Sequence, residues 1–85
     1  MSNLDAQGAK DLLSTHFPNA TAIDAVSNGN KFEVLIVDDG FNGKRLVQRQ
    51  QSIYAIFNAY IASGVIHALT IHALTPEEYA ARQGA

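Results

Sequence analysis

Ala9, Leu12, Leu13 and Phe17, with His16 on the same side, recur at i, i+3, i+4, i+7 and i+8, one face of an amphipathic helix. Ser2 with Asp5 three residues later caps its start, and Pro18 forces Phe17 out of helical geometry, so a helix is predicted from about Asn3 to His16. After the Pro18-Asn19 turn, Ala20 to Val26 alternates weakly. Lys31 to Val37 alternates strongly, with Phe32, Val34 and Ile36 on one face, and Asn28-Gly29 between the two runs signals a tight hairpin. Leu35 and Val37 make the other face of this second strand apolar as well, as expected of a central strand covered on both sides.

From Gly43 the period lengthens. Leu46, Val47, Gln50, Ile53, Tyr54, Phe57 and Ile61 fall on one helical stripe that stops at Gly64, giving a helix over 44–62. Ser52 offers a cap for a second helix, which leaves a break between Arg49 and Ser52 open. Val65 to Ala73 is short, rich in β-branched residues and framed by Gly64 and Pro76, so it reads as a third strand. Thr75-Pro76-Glu77-Glu78 then supplies a cap, a first-turn proline and two acids at the positive end of a last helix reaching about Arg82. The order α-β-β-α(α)-β-α specifies an α+β fold with a three-stranded mixed sheet. Its last strand lies parallel to the second across a right-handed helical crossover. The echo of Ile66-His67-Ala68-Leu69-Thr70 in Ile71-His72-Ala73-Leu74-Thr75 is too short to be a structural repeat.

Composition narrows the classes. Eighty-five residues make one small domain over 1–85, and 47% apolar against 16% charged residues argue for a packed core rather than a disordered tail. No apolar run approaches the roughly 20 residues of a membrane span, and the first residues lack the basic, apolar character of a leader, so a cytoplasmic protein without membrane contact is expected. The chain has no cysteine: a disulfide, a thiolate metal site or a thiol nucleophile cannot be built from it alone. The net charge of −2 is far from the basic excess of a typical nucleic-acid-binding domain, yet Lys44, Arg45 and Arg49 form a local basic patch with no acid after Asp39 until Glu77.

Candidate chemistry is sparse. His67 and His72, five apart on one strand, point to opposite faces and cannot chelate a metal together. His16 and His72 read as histidines without a role. Asp38-Asp39 and Glu77-Glu78 read as a loop and a helix start. Gly40-Phe41-Asn42-Gly43 spells the GxxG of a nucleic-acid-clamping loop, but here it leaves a strand instead of joining two helices, so a turn explains it. None of the sequence motifs of a catalytic triad, a metalloprotease or a nucleotide-binding loop is present, and an enzyme is not expected.

Phe41-x-Gly43-Lys44-x-x-Val47-x-Arg49, then Ile53-Tyr54, then Ile66-His67-Ala68-Leu69, then Thr75-Pro76-Glu77-Glu78-Tyr79 resembles, in order and spacing, the signature of the BolA family. Gln50-Gln51 after Arg49 makes the IbaG branch the nearer one. The resemblance implies the fold αββααβα with a KH-like helix-turn-helix, related to class II KH domains, and supports the helix break near Gln50. It also implies a non-enzymatic partner of monothiol glutaredoxins that shares a [2Fe–2S] cluster with glutaredoxin and glutathione, in iron–sulfur delivery or iron regulation. His67 matches the family's ligand histidine, and a cysteine-free chain offers imidazole where glutaredoxin and glutathione offer thiolate. Family members usually carry a second His or Cys in the first hairpin; Ser27-Asn28-Gly29-Asn30-Lys31 has neither. The other function attributed to BolA-like proteins is transcriptional control through DNA, which would rest on Lys44, Arg45 and Arg49. With about three phosphates to neutralise, such binding is expected to be weak. Alone, the chain is expected to be a monomer or weak homodimer holding no cluster.

Overall fold

The computed structural model describes residues 4–83. Along them run helix α1 (Ala6–His16), strands β1 (Ala22–Asn28) and β2 (Lys31–Val37), one turn of 3-10 helix (Asp39–Phe41), helix α2 (Leu46–Ala62), strand β3 (Ala68–Leu74) and helix α3 (Pro76–Gln83). One sheet has the order β1-β2-β3, with β1 antiparallel to β2 and β2 parallel to β3, so the α+β class and the mixed sheet expected from the pattern are those observed. Among the described residues no helix is long and apolar enough to cross a membrane.

Local chemistry sets the ends of the elements. Asp5 Oδ1 accepts the Gly8 N–H at 2.7 Å and opens α1 at Ala6; the expected cap Ser2 and first residue Asn3 lie outside the described residues. Asn28 pairs with Lys31 across the two-residue turn Gly29-Asn30, where Gly29 takes φ +64° at no steric cost. At the start of α3, Glu78 N–H donates to Thr75 Oγ1 at 3.1 Å and Thr75 N–H donates to Glu78 Oε1 at 2.9 Å, a reciprocal capping box.

Phe32, Val34, Ile36, Ala25, Ile71 and Ala73 fill one face of the sheet and pack with Leu13, Phe41, Ile53, Phe57 and Ile66 into one buried cluster. Helix α1 covers β1 and β2, and α2 runs against β3. Burial of each large side chain here contributes about 1.5–3 kcal/mol. On the opposite face Val37 is buried but Leu35 only half so. The second face of β2 is therefore covered at its end, not along its length as its apolar pattern predicted.

Helix α2 differs from its expected form in two ways. It is unbroken: Ser52 Oγ donates to the Arg49 carbonyl at 2.8 Å inside a continuing helix instead of capping a new one, and neither Pro nor Gly interrupts 46–62. Where the resemblance implied a helix-turn-helix of two helices stand one 3-10 turn, the link 42–45 and a single long helix. The buried line is also Arg49, Ile53 and Phe57, spaced by four. Leu46, Val47 and Tyr54 flank that line and stay 63%, 56% and 42% exposed, although the sequence placed them on the core stripe.

Candidate functional site

β3 starts at Ala68, so His67 stands in the turn before the strand instead of within it. Its backbone is fixed from two sides. The Ile66 N–H donates to the Tyr60 carbonyl at 3.1 Å, tying the turn to the last part of α2, and the His67 N–H donates to the Asn30 carbonyl at 2.8 Å, tying it to the tip of the hairpin. Ile66, buried in the core, anchors the turn. The His67 side chain is exposed. A β-carbon placed on Gly64 (φ +84°) would sit 3.8 Å from its Nε2, so the imidazole lies beside the glycine that ends α2. Among the described residues the ring takes part in no side-chain hydrogen bond and no ion pair.

One imidazole does not make a metal site. Among the described residues no three His, Cys, Asp or Glu side chains come together as a set of metal ligands. Asn30 brings the hairpin to His67, and residues 27–31 carry neither imidazole nor thiolate.

The basic patch is split. Lys44 and Arg45 are exposed, but Arg49 is only 5% exposed. Its Nε donates to the Lys44 carbonyl at 3.0 Å, its Nη1 donates to the Ala73 carbonyl at 3.0 Å and to Glu78 Oε1 at 2.7 Å, and its Nη2 donates to Glu78 Oε2 at 3.4 Å. The guanidinium carbon stands 5.8 Å from the centre of the Phe41 ring. The hydrogen bonds from Arg49 first, then that from the Thr75 amide, hold the Glu78 carboxyl below the ordinary carboxylate range. Arg49, which the sequence grouped with Lys44 and Arg45 as a contact for nucleic acid, is buried and directs four hydrogen bonds into the fold, so its guanidinium is not displayed beside theirs. The missed signal was its phase, because Arg49 stands four residues before Ile53 and eight before Phe57, on the inward line of the helix.

The remaining candidates are not gathered at His67. His72 Nε2 lies 2.7 Å from Glu33 Oε2, and His16 Nδ1 lies 3.0 Å from the Leu12 carbonyl. In the Gly40–Gly43 loop, Asp38 Oδ1 accepts the Gly40 N–H at 2.7 Å and Asp39 Oδ1 accepts from Asn42 Nδ2 at 2.6 Å. Two carboxylates thus occupy the loop whose amides a phosphate would need, as a turn demands and a phosphate clamp does not.

With this geometry in place, comparison with known proteins is specific. The sequence profile of BolA-like proteins matches residues 10–78. A protein from the rpoN-murA intergenic region of Acinetobacter guillouiae is 47% identical over 77 residues, 89% of this chain and 90% of that one. The acid stress protein IbaG of Escherichia coli K12 is 42% identical over 53 residues, 62% of this chain and 63% of that one. The crystal structure of a Bol-like protein from Babesia bovis superposes with a TM-score of 0.79 over 96% of both chains at 27% identity.

Proposed function

This chain belongs to the BolA-like family, and from that premise we propose that it is a non-enzymatic partner of a monothiol glutaredoxin, sharing a [2Fe–2S] cluster as cargo in iron–sulfur delivery or iron regulation. The observation that carries the reading is His67: an exposed imidazole with no side-chain hydrogen bond among the described residues, on a backbone anchored to both α2 and the hairpin. Because the chain has no cysteine and no second histidine at that place, it contributes a single ligand, and the thiolates come from glutaredoxin and glutathione. Imidazole in place of a thiolate raises the cluster's potential, and its capacity to bind iron falls when it is protonated.

Mixing the protein anaerobically with a monothiol glutaredoxin, glutathione, iron and sulfide tests this. The expected result is a heterodimer whose cluster spectrum changes on complex formation, a change absent with His67→Ala and retained with His72→Ala. Identical behaviour of the two variants would overturn the role of His67. Control of transcription through DNA is the weaker reading, because burial of Arg49 leaves Lys44 and Arg45 as the cations of that patch and Asp38-Asp39 stand in its loop.

A further inference from the structure

Helix α2 carries two lines of residues along its length. The first, Arg49, Ile53 and Phe57, is buried against the sheet. The second, Val47, Gln51, Tyr54, Asn58 and Ile61, recurs at steps of four, three, four and three, the seam spacing of a helix that packs against another helix. Among the described residues no element covers this line. Val47 is 56% and Tyr54 42% exposed, Gln51 and Asn58 are exposed, and Ile61 is half-buried.

Charge is missing from the same surface. The 17 residues of α2 include one charged side chain, Arg49, and it is buried. The shorter helices α1 and α3 carry Lys10 and Asp11, and Glu77, Glu78 and Arg82. A long exposed helix face with no charge is not what contact with water selects, whereas depletion of charge around an aromatic is the composition of an interface core. Such a face also has no cation for a phosphate backbone to meet. Beyond its N-terminal end stand Lys44 and Arg45 with Asp38 and Asp39, charges of both signs that cancel.

We propose that this face of α2 pairs with the same face of a second copy of the chain, the two helices antiparallel about a twofold axis at Tyr54. In that arrangement the line of residues is its own complement. Val47 meets Ile61 of the second copy, and Gln51 meets its Asn58, where each carboxamide both donates and accepts. The two Tyr54 rings stack with an offset at the centre. The Tyr54 hydroxyl already donates to the Leu69 carbonyl at 3.3 Å, so the ring is held in place before the second copy arrives. Opposed helix dipoles attract, and an uncharged seam brings no like charges together. A patch about 25 Å long and about 10 Å wide falls well short of the roughly 800 Å² per partner of a standard interface, so the dimer is weak and exchanges with monomer. This inference does not depend on His67.

Because the chain has no cysteine, introduced thiols report the pairing directly. Gln51→Cys and Asn58→Cys, both at exposed positions, are mixed in equal amounts in a glutathione redox buffer, and the linked products are counted. The mixed product should exceed either like product at least fivefold, where random collision gives twofold. Sedimentation of the unsubstituted chain should show its average mass rising toward that of a dimer as concentration reaches the millimolar range. Gln51→Lys with Asn58→Lys should weaken association at least tenfold. Gln51→Glu with Asn58→Lys should restore it, since each glutamate then faces a lysine of the second copy. In a mixture of labelled and unlabelled chains, the Val47 and Ile61 methyls should show contacts between copies, although they lie about 21 Å apart along one helix. A monomer at millimolar concentration, mixed product at or below the random ratio, no recovery with the charge swap, or a dimer joined through another face would overturn the proposal.

Discussion

At the C-terminal end of β3, the Ala73 carbonyl, Thr75 and Glu78 are closed over by a buried guanidinium, whereas at its N-terminal end His67 is held by its backbone alone and its imidazole faces solvent. Seven residues of one strand separate a site in which polar groups satisfy one another from a site in which they wait for a partner. The first arrangement fixes α2, α3 and the 3-10 turn to the sheet. The second costs the fold little and leaves a ligand atom available. The difference shows why side-chain type alone misassigned Arg49: an arginine in a basic run becomes structural when its carbon stem lies on the buried line of a helix and its head meets carbonyls and a carboxylate.

The comparison breaks most sharply at Arg49. Arg49→Ala removes the donor to two carbonyls and to Glu78, and the Ala73 carbonyl then loses its side-chain partner. Glu78 is half exposed and recovers hydration, which limits the penalty to about 3 kcal/mol, read as a lowered urea midpoint. Arg49→Lys should recover only part, because an ammonium cannot span the Lys44 and Ala73 carbonyls and both Glu78 oxygens with one planar fork. A loss below about 0.5 kcal/mol for Arg49→Ala would mean that this end of β3 is not the rigid one.

At the other end, Gly64→Ala should cost about 1–2 kcal/mol, because φ +84° places an L-residue in the left-handed region. The added β-carbon would meet His67 Nε2 only at ordinary contact distance, so the loss is conformational and the imidazole stays accessible. Thermal unfolding measures the cost. Reaction of the His67 ring with diethyl pyrocarbonate, unchanged in the variant, measures the access.

A smaller effect is the acid limb at the Arg49 end. The folded-state pKa of Glu78 is depressed, so in acid the unfolded chain binds more protons at this group than the folded one. Its contribution is complete above the ordinary carboxylate range and is lost as pH falls through the lowered folded-state value. Glu78→Gln keeps an oxygen that accepts from Arg49 and from the Thr75 amide but cannot titrate. The variant should therefore show a flatter fall of stability with acid. Urea midpoints across the acid range check this, and parallel pH dependences for the two proteins would exclude Glu78 as a source.

How much of this was legible beforehand follows from the reach of each interaction. The hairpin, the glycine that ends α2 and the Thr75-Glu78 cap are local, depending on residues within about four positions, and the sequence places them correctly. The mixed sheet follows from a change of period and one handedness rule. By contrast, the Arg49 network joins residues 44, 49, 73 and 78, contacts that no local pattern contains. The exposure of Leu46, Val47 and Tyr54 likewise depends on where α2 lies relative to the sheet edge. At the candidate site, His67 could be singled out only by family resemblance. Its exposure is a fact of three dimensions, because alternation along the strand would have set it on the same side as the core residue Ile71.

The smallest expected effect on stability is at His67 itself. The ring is exposed and takes part in no side-chain hydrogen bond among the described residues, so His67→Ala should change stability by less than about 0.5 kcal/mol, within the range of ordinary surface substitutions. His72→Ala removes the 2.7 Å contact to Glu33, a half-exposed pair worth about 0.2–1 kcal/mol at pH values where the ring is protonated. In the apo protein, then, His72 should matter at least as much as His67. In the proposed complex with a monothiol glutaredoxin the order should reverse, with loss of the histidine-type cluster spectrum for His67→Ala alone. Chemical denaturation of both variants beside their cluster spectra separates the cases. A His67→Ala variant that loses stability as Arg49→Ala does would place His67 among the groups that hold the fold together, and the contrast between the two ends of β3 would fail.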